Sequence, residues 1–349
     1  MENMDVFSAL PDSLLPWYEN HRRDLPWRKD KEPYHIWVSE IMLQQTRVEA
    51  VKGYYTRFLE TLPGVADLAG AEDELLHKLW EGLGYYSRVR NLKKAAQQIM
   101  ERHGGIFPDT HEEVSALAGI GPYTAGAICS IAFDLPTPAV DGNVLRVISR
   151  LTDDPTPIDK PTFRKRITEN LAAVYPQNAG DFTQALMELG ATICGPNRKP
   201  DCGNCPCRQF CRGYECGTAE NLPVKKSKPQ RRVQEKTVLI LSCDGYYALR
   251  KRPDTGLLAG LWEFPNIPEK MELQAAISKV EKNGIKPKEI IRQVEKKHIF
   301  THIEWNMSGI YMEVKEQGGD FVWLSAQQIK DHVALPTAFR QFWEEIDYV

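Results

Sequence analysis

Two carboxylates in contrasting company raise the first chemical question. Glu40 lies in VSEIMLQQTR, Val38 to Arg47, a helical segment where its neighbours are Val38, Ile41, Met42 and Leu43. A carboxyl desolvated by such neighbours keeps its proton near neutral pH and can serve as a general acid. Asp141 lies in PTPAVDGNVLRV, Pro136 to Val147, after an apolar approach and directly before a helical run. In a pocket, an ionised aspartate stabilises a developing positive charge, and Asn143 could orient it. Two carboxyls in unlike surroundings are the minimum set for breaking a glycosidic bond, one protonating the leaving group and one facing the sugar cation. Each has a plainer reading. The residues alone favour Glu40 as a surface or capping glutamate beside Ser39, and Asp141 could be only a helix N-cap.

CGPNRKPDCGNCPCRQFC, Cys194 to Cys211, holds five of the chain's eight cysteines in eighteen residues. Cys194, Cys202, Cys205 and Cys211 supply four soft ligands, which select zinc or an iron–sulfur centre over magnesium or calcium. Their gaps of seven, two and five residues are uneven for a structural zinc, and spacing alone leaves both centres open. Cys207 and Cys216 are spare. Cys129 and Cys243 sit in apolar segments and are expected as buried small side chains.

Two glycine-bearing loops could meet a polyanion. LAGIGPYTAGAI, Leu117 to Ile128, puts Gly119 and Gly121 in a tight turn before a helical run, where exposed N–H groups suit a phosphate. GLGYYSR, Gly82 to Arg88, sets Tyr85 and Tyr86 beside glycines and an arginine; its aromatics could stack on bases while the guanidinium meets a phosphate. Ordinary helix–helix turns and aromatic packing explain both loops equally well on their own.

The elements that must position these residues change along the chain. From Pro11 to about Leu189 apolar residues recur at spacings of three and four, as in Leu75, Leu76, Leu79 and Leu83, which marks a helical domain. ENLPVKKSKPQRRVQEK follows, with six lysines and arginines from Lys225 to Lys236 around Pro229, and reads as a basic linker. Beyond it TVLILSCDGYYALRKR reads as two strands joined at Asp244-Gly245, IEWNMSGIYMEV and DFVWLS as further strands, and MELQAAISKVEKNG and SAQQIK as helices. The second domain is therefore α+β.

With 349 residues, 42% of them hydrophobic, the chain accommodates two or more folded domains, and a net charge of −3 does not exclude a local basic patch. The N-terminal twenty residues lack the pattern of a secretory signal, and no segment has the run of apolar residues that a membrane span needs. An intracellular protein, cytoplasmic or nucleoid-associated, with no membrane contact is expected. In that reducing setting the clustered cysteines favour metal ligation over disulfides.

Taken together, LPWR (Leu25 to Arg28), SEIMLQQTRV (Ser39 to Val48), WEGLGYYSRVRNL (Trp80 to Leu92), the glycine turn, VDGNVLRV, the cysteine loop and GLLAGLWEFP (Gly256 to Pro265) resemble the MutY family of adenine DNA glycosylases, within the endonuclease-III-like helix-hairpin-helix enzymes. The resemblance spans nearly the whole chain. It implies a multidomain fold: an all-α helix-hairpin-helix glycosylase region over 1–220 bearing a 4Fe-4S cluster, a linker over 221–235, and a Nudix-like α+β domain over 236–349. The first region would divide into a six-helix domain, about 30–135, and a cluster-bearing domain from about 1–29 and 136–220.

The same resemblance implies a monofunctional enzyme of base excision repair that flips adenine, mispaired with 8-oxoguanine or guanine in double-stranded DNA, and removes it. Glu40 becomes the general acid and Asp141 the stabiliser of the sugar cation, with Tyr123 and Asn143 in the same pocket. Related lyases carry a Schiff-base lysine where this chain has Tyr123, which cannot form an imine. Cys194, Cys202, Cys205 and Cys211 become the cluster ligands, although the family commonly has six residues between the first two. Gln45 and Tyr85 would enter the stack around the lesion pair with Leu43 nearby, Arg88 would meet the DNA through its guanidinium, and Gly119 and Gly121 would approach a DNA phosphate, with a monovalent cation at the hairpin. Phe300, Thr301 and His302 fall on the loop that reads 8-oxoguanine, Thr301 standing where many relatives have serine. The segment after Pro265 lacks the acidic array that holds magnesium in Nudix hydrolases, so recognition without pyrophosphate hydrolysis is expected. A monomer suffices.

Overall fold

The computed structural model describes residues 3–196, 198–226 and 230–346, with no side-chain description for residues 3–5. Ser227, Lys228 and Pro229, the middle of the expected linker, lie outside the described residues. The chain divides into two compact units, one formed by Met1–Ala71 with Asn91–Ser227 and the other by Glu72–Arg90 with Lys228–Val349.

The first unit is helical. The helix Pro33–Leu43 is apolar almost all round, with eight of its residues buried, and packs against Val48–Thr61 and Pro122–Phe133. It stops earlier than the motif VSEIMLQQTR suggests, because Gln44 leaves helical geometry and Gln45 turns left-handed at φ 59°. The helix His111–Ser115 and the helix Pro122–Phe133 form the expected hairpin. Between them Gly119 has φ +75°, and a Cβ there would lie 2.5 Å from Asn91 Cβ, so glycine is required on both counts. A second core joins Leu10–His21, Gly142–Thr152, Pro161–Ala172 and Ala179–Thr192 through Leu14, Val147, Phe163, Phe182 and Leu189, and Cys207 and Cys211 are buried within it.

The second unit is built on a mixed sheet of seven strands: β1 (Arg232–Cys243), β2 (Tyr246–Lys251), β3 (Trp262–Glu263), β4 (Asn266–Ile267), β5 (Pro287–Ile299), β6 (Ile303–Val314) and β7 (Val322–Ser325). The main order is β3-β2-β1-β6-β5, with β4 on β1 and β7 on β2. Only the β1–β6 pairing is parallel among those described. The run VLIL is continuously apolar because both faces of β1 are covered: Val238 and Ile240 join Phe339 and Phe342, whereas Leu239 and Leu241 join Ala276 and Val280. Asp244 and Gly245, at φ 47° and 77°, make the expected hairpin turn. Arg232 to Glu235, expected in the linker, are strand instead, pairing with Ile303 to Asn306 of β6.

Glu72–Arg90, expected within the six-helix domain, is tied into this second unit. Lys251 Nζ donates to Glu74 Oε1 at 2.6 Å, the Leu335 N–H to Glu81 Oε1 at 3.0 Å, and Arg90 Nη1 to the Ala259 carbonyl at 2.7 Å. Among the described residues no helix is long and apolar enough to cross a membrane.

Candidate active site

Glu40 occupies the last turn of its helix and is only 5% exposed. Tyr123, in the first turn after the hairpin, donates its hydroxyl to Glu40 Oε2 at 2.8 Å. Burial drives the Glu40 carboxyl up to about 7; the Tyr123 hydrogen bond opposes that, Asp141 adds to it, and Arg28 opposes it. Tyr123 is itself held well above its ordinary value by burial and by Glu40, so it stays a donor. The buried, proton-holding glutamate displaces the surface reading that the local residues favoured.

Asp141 is an N-cap, and the cap organises the carboxylate. Oδ1 accepts the N–H groups of Asn143 and Val144, each at 2.8 Å, and Oδ2 accepts Asn143 Nδ2 at 2.6 Å. Asn143 Oδ1 in turn accepts Arg146 Nη1 at 2.9 Å. Glu40, Asp141, Tyr123, Asn143, Leu43, Gln45, Gly119 and Gly121 all line one cavity of about 810 Å³ in the helical unit. Arginines line it too, but no lysine does among the described residues.

Sequence reasoning left Arg23 and Glu188 unnoticed and gave Arg28 no role beside this site. Glu188, fully buried, accepts Arg23 Nε at 2.6 Å and Arg28 Nη2 at 2.7 Å. The three fix the wall from which Arg28 reaches toward Glu40; LPWR was noted, but the partner 160 residues away left no local signal.

Cys194, Cys202, Cys205 and Cys211 surround a single small cavity whose other walls are mainly Val147, Leu151, Leu189 and Ile193. Cys207 is fully buried outside that lining, Cys216 is exposed, and Cys129 and Cys243 are buried as expected. Arg150 donates to Cys194 Sγ at 3.3 Å and to the Cys194 carbonyl at 3.1 Å, while Arg146 Nε reaches the same carbonyl at 3.0 Å. Both arginines are at least 95% buried, on the helix that Asp141 caps. The seven-residue gap is accommodated in a loop closed by the Asp201 N–H bonding the Ile193 carbonyl at 3.0 Å. Among the described residues no three His, Cys, Asp or Glu side chains converge as ligands of a metal ion. A cubane takes one thiolate per iron, so four sulfurs around an apolar cavity, one receiving a guanidinium hydrogen bond, fit such a group.

In the second unit a cavity of about 470 Å³ is lined by Tyr85, Phe300, Thr301 and His302 together with Leu257, Leu258 and Arg90. Tyr85, at φ 47°, places its hydroxyl 2.9 Å from Thr301 Oγ1. Thr301 is therefore at the tip of the β5–β6 hairpin and not within a continuous strand. Arg88 differs from the expected phosphate contact: it is 8% exposed, and its Nη2 donates to the Leu83 and Gly84 carbonyls at 2.9 and 3.2 Å, holding the Tyr85 loop.

Comparison with known proteins identifies both parts of the chain. Residues 38–172 match the HhH-GPD superfamily of base excision DNA repair proteins and residues 236–345 match the NUDIX domain. A solved thermostable thymine-DNA glycosylase superposes with a TM-score of 0.54 at 29% identity, covering 61% of this chain and 97% of that one. Endonuclease III from a non-covalent DNA complex superposes at 0.53 with 21% identity, over 62% of this chain and 98% of that one, and shares the fold. The helical unit is thus that of a helix-hairpin-helix base-excision DNA glycosylase, an N-glycosylase, carrying a Nudix-like second domain. Mouse (Mus musculus) adenine DNA glycosylase is 39% identical over 360 residues, spanning 85% of this chain and 69% of the mouse enzyme. The chain belongs to the adenine DNA glycosylase family.

Proposed function

We propose that this enzyme excises adenine paired opposite 8-oxoguanine or guanine in double-stranded DNA and leaves an abasic site. The observation that carries this reading is a buried carboxyl, raised by burial and receiving the Tyr123 hydroxyl, in a cavity of about 810 Å³ that also holds a capped aspartate. The adenosine leaves the stack, a step that costs least at a mispair. Glu40 donates its proton to the adenine ring, and the N-glycosidic bond breaks with its electron pair moving to the base. The Asp141 carboxylate faces the positive charge left on the sugar, its orientation already set by two backbone N–H groups and the Asn143 amide. Glu40, now ionised, accepts a proton from water as the oxygen bonds the anomeric carbon. With Tyr123 at the hairpin and no lysine in the described lining, the route ends at the abasic site without an imine.

Leu43 and Gln45 are assigned to the lesion stack, and the Gly119–Gly121 backbone to a phosphate aided by a monovalent cation. Such contacts position the duplex without naming the base. Tyr85, Phe300, Thr301 and His302 are assigned to reading the base opposite adenine. Cys194, Cys202, Cys205 and Cys211 would hold a 4Fe-4S cluster, which when bound supplies a structural cross-link to the loop. The enzyme acts as a monomer inside the cell.

The test is chromatographic identification of the base released from duplexes with adenine opposite 8-oxoguanine, guanine or thymine. Free adenine is expected from the first two, fastest from the 8-oxoguanine duplex, with no borohydride-trapped adduct forming at the rate of release. Release of an oxidised pyrimidine instead, or equal rates opposite thymine, would remove the reading.

A further inference from the structure

The start of β1 does more than begin a domain. Gln234 stands directly beside Trp305 in the parallel β1–β6 pairing, and its Oε1 accepts the Trp305 indole N–H at 2.8 Å. Two residues on, the Lys236 ammonium sits 4.5 Å from the centre of the same ring. The indole plane is therefore fixed twice, by an in-plane hydrogen bond and by a cation on its face. Phe300 meets that plane edge-to-face, with ring centres 4.8 Å apart and an angle of 71°, and His298 holds Phe300 from another side at 4.5 Å. The turn is closed by the Phe300 N–H on the Ile303 carbonyl at 2.8 Å, and β1 reaches it again through the Arg232 N–H on the His302 carbonyl at 3.0 Å.

Core filling alone does not explain this arrangement. Trp305 is 2% exposed, and a buried indole N–H is costly unless a partner is supplied. The partner comes from a strand segment whose Arg232, Val233 and Glu235 are exposed. An edge-to-face contact depends on the ring plane, so turning Trp305 displaces Phe300, which lines the cavity of the second unit.

We propose that Gln234 and Lys236 are positioning residues for the opposite-base reading loop, acting through Trp305 on the Phe300 ring. The proposal rests on that loop reading the base opposite adenine. Its test is the ratio of single-turnover adenine release at subsaturating enzyme on 8-oxoguanine:adenine and guanine:adenine duplexes. Gln234→Leu is expected to lower the ratio about fivefold, the factor that one hydrogen bond commonly carries, with guanine:adenine release unchanged. Gln234→Glu keeps an acceptor oxygen and restores the ratio. Lys236→Met, which keeps the apolar stem, lowers it by a smaller factor and stands in if Gln234→Leu does not fold. Unchanged ratios in folded Gln234→Leu and Lys236→Met overturn the proposal. Phe300→Ala separates the two levels: if it lowers the ratio while the β1 variants do not, the brace alone is wrong. If Phe300→Ala also leaves the ratio unchanged, the loop does not read the base.

Discussion

Replacing Glu40 by glutamine should stabilise the protein, and only on the alkaline side. The folded carboxyl titrates near 7 against an ordinary 4.5, so the folded chain retains a proton through that interval while the unfolded chain has lost it. Stability of the native sequence therefore falls as pH rises from 4.5 to 7, by about 3 kcal/mol in total, and is flat with respect to this group above 7. Glutamine has no charge to desolvate and can still accept the Tyr123 hydroxyl. The Glu40→Gln advantage should thus grow by about 2 kcal/mol between roughly pH 5.5 and pH 8. Urea unfolding followed by helical circular dichroism at several pH values measures the difference directly. A difference that is constant with pH, or that favours glutamate at pH 8, would refute the burial argument. The same titration requires adenine release by the native enzyme to slow as pH rises through 7.

Other perturbations separate the remaining parts of the site. Cys194→Ser should lose bound iron, whereas Cys207→Ser and Cys216→Ser should retain it, as read by iron content and visible absorbance. Gly119→Ala places a methyl 2.5 Å from Asn91 Cβ at positive φ, so it should destabilise by roughly 1–3 kcal/mol and weaken duplex binding, measured by melting and by fluorescence anisotropy. Arg146→Met removes a buried guanidinium's bonds to Asn143, Gly190 and Cys194. It should cost about 2–4 kcal/mol and slow adenine release, since the Asp141 support and the cysteine loop lose one shared anchor.

What was legible in the sequence was what local pattern encodes. Helical spacing, the Asp244-Gly245 turn and the strand reading of IEWNMSGIYMEV correspond to elements that the structure contains. β5 escaped because KEIIRQVEKKHI carries charges on its exposed edge-strand face, and the helix Thr337–Trp343 because it is too short for two turns of periodicity. Glu40, Asp141 and the cysteines stood out in the sequence as candidates, yet their local context could not separate chemistry from capping. Asp141 turns out to cap a helix and, through that cap, to have a fixed carboxylate. Glu188 with Arg23 and Arg28, and Tyr85 with Thr301, are encounters between distant segments and leave no pattern within any one window. Arg88 shows the converse, an arginine typed for phosphate that the fold uses to hold a strained loop.

Single-turnover adenine release from an 8-oxoguanine:adenine duplex by native enzyme and by Asp141→Asn, with duplex affinity measured alongside, tests the two-carboxylate mechanism most directly. Asparagine can keep the cap but removes the charge that faces the sugar cation. Release should fall by about a thousandfold or more while binding stays within a fewfold of native. Release at near-native rate from the tightly bound variant would contradict the assignment of Asp141 and, with it, the two-carboxylate mechanism.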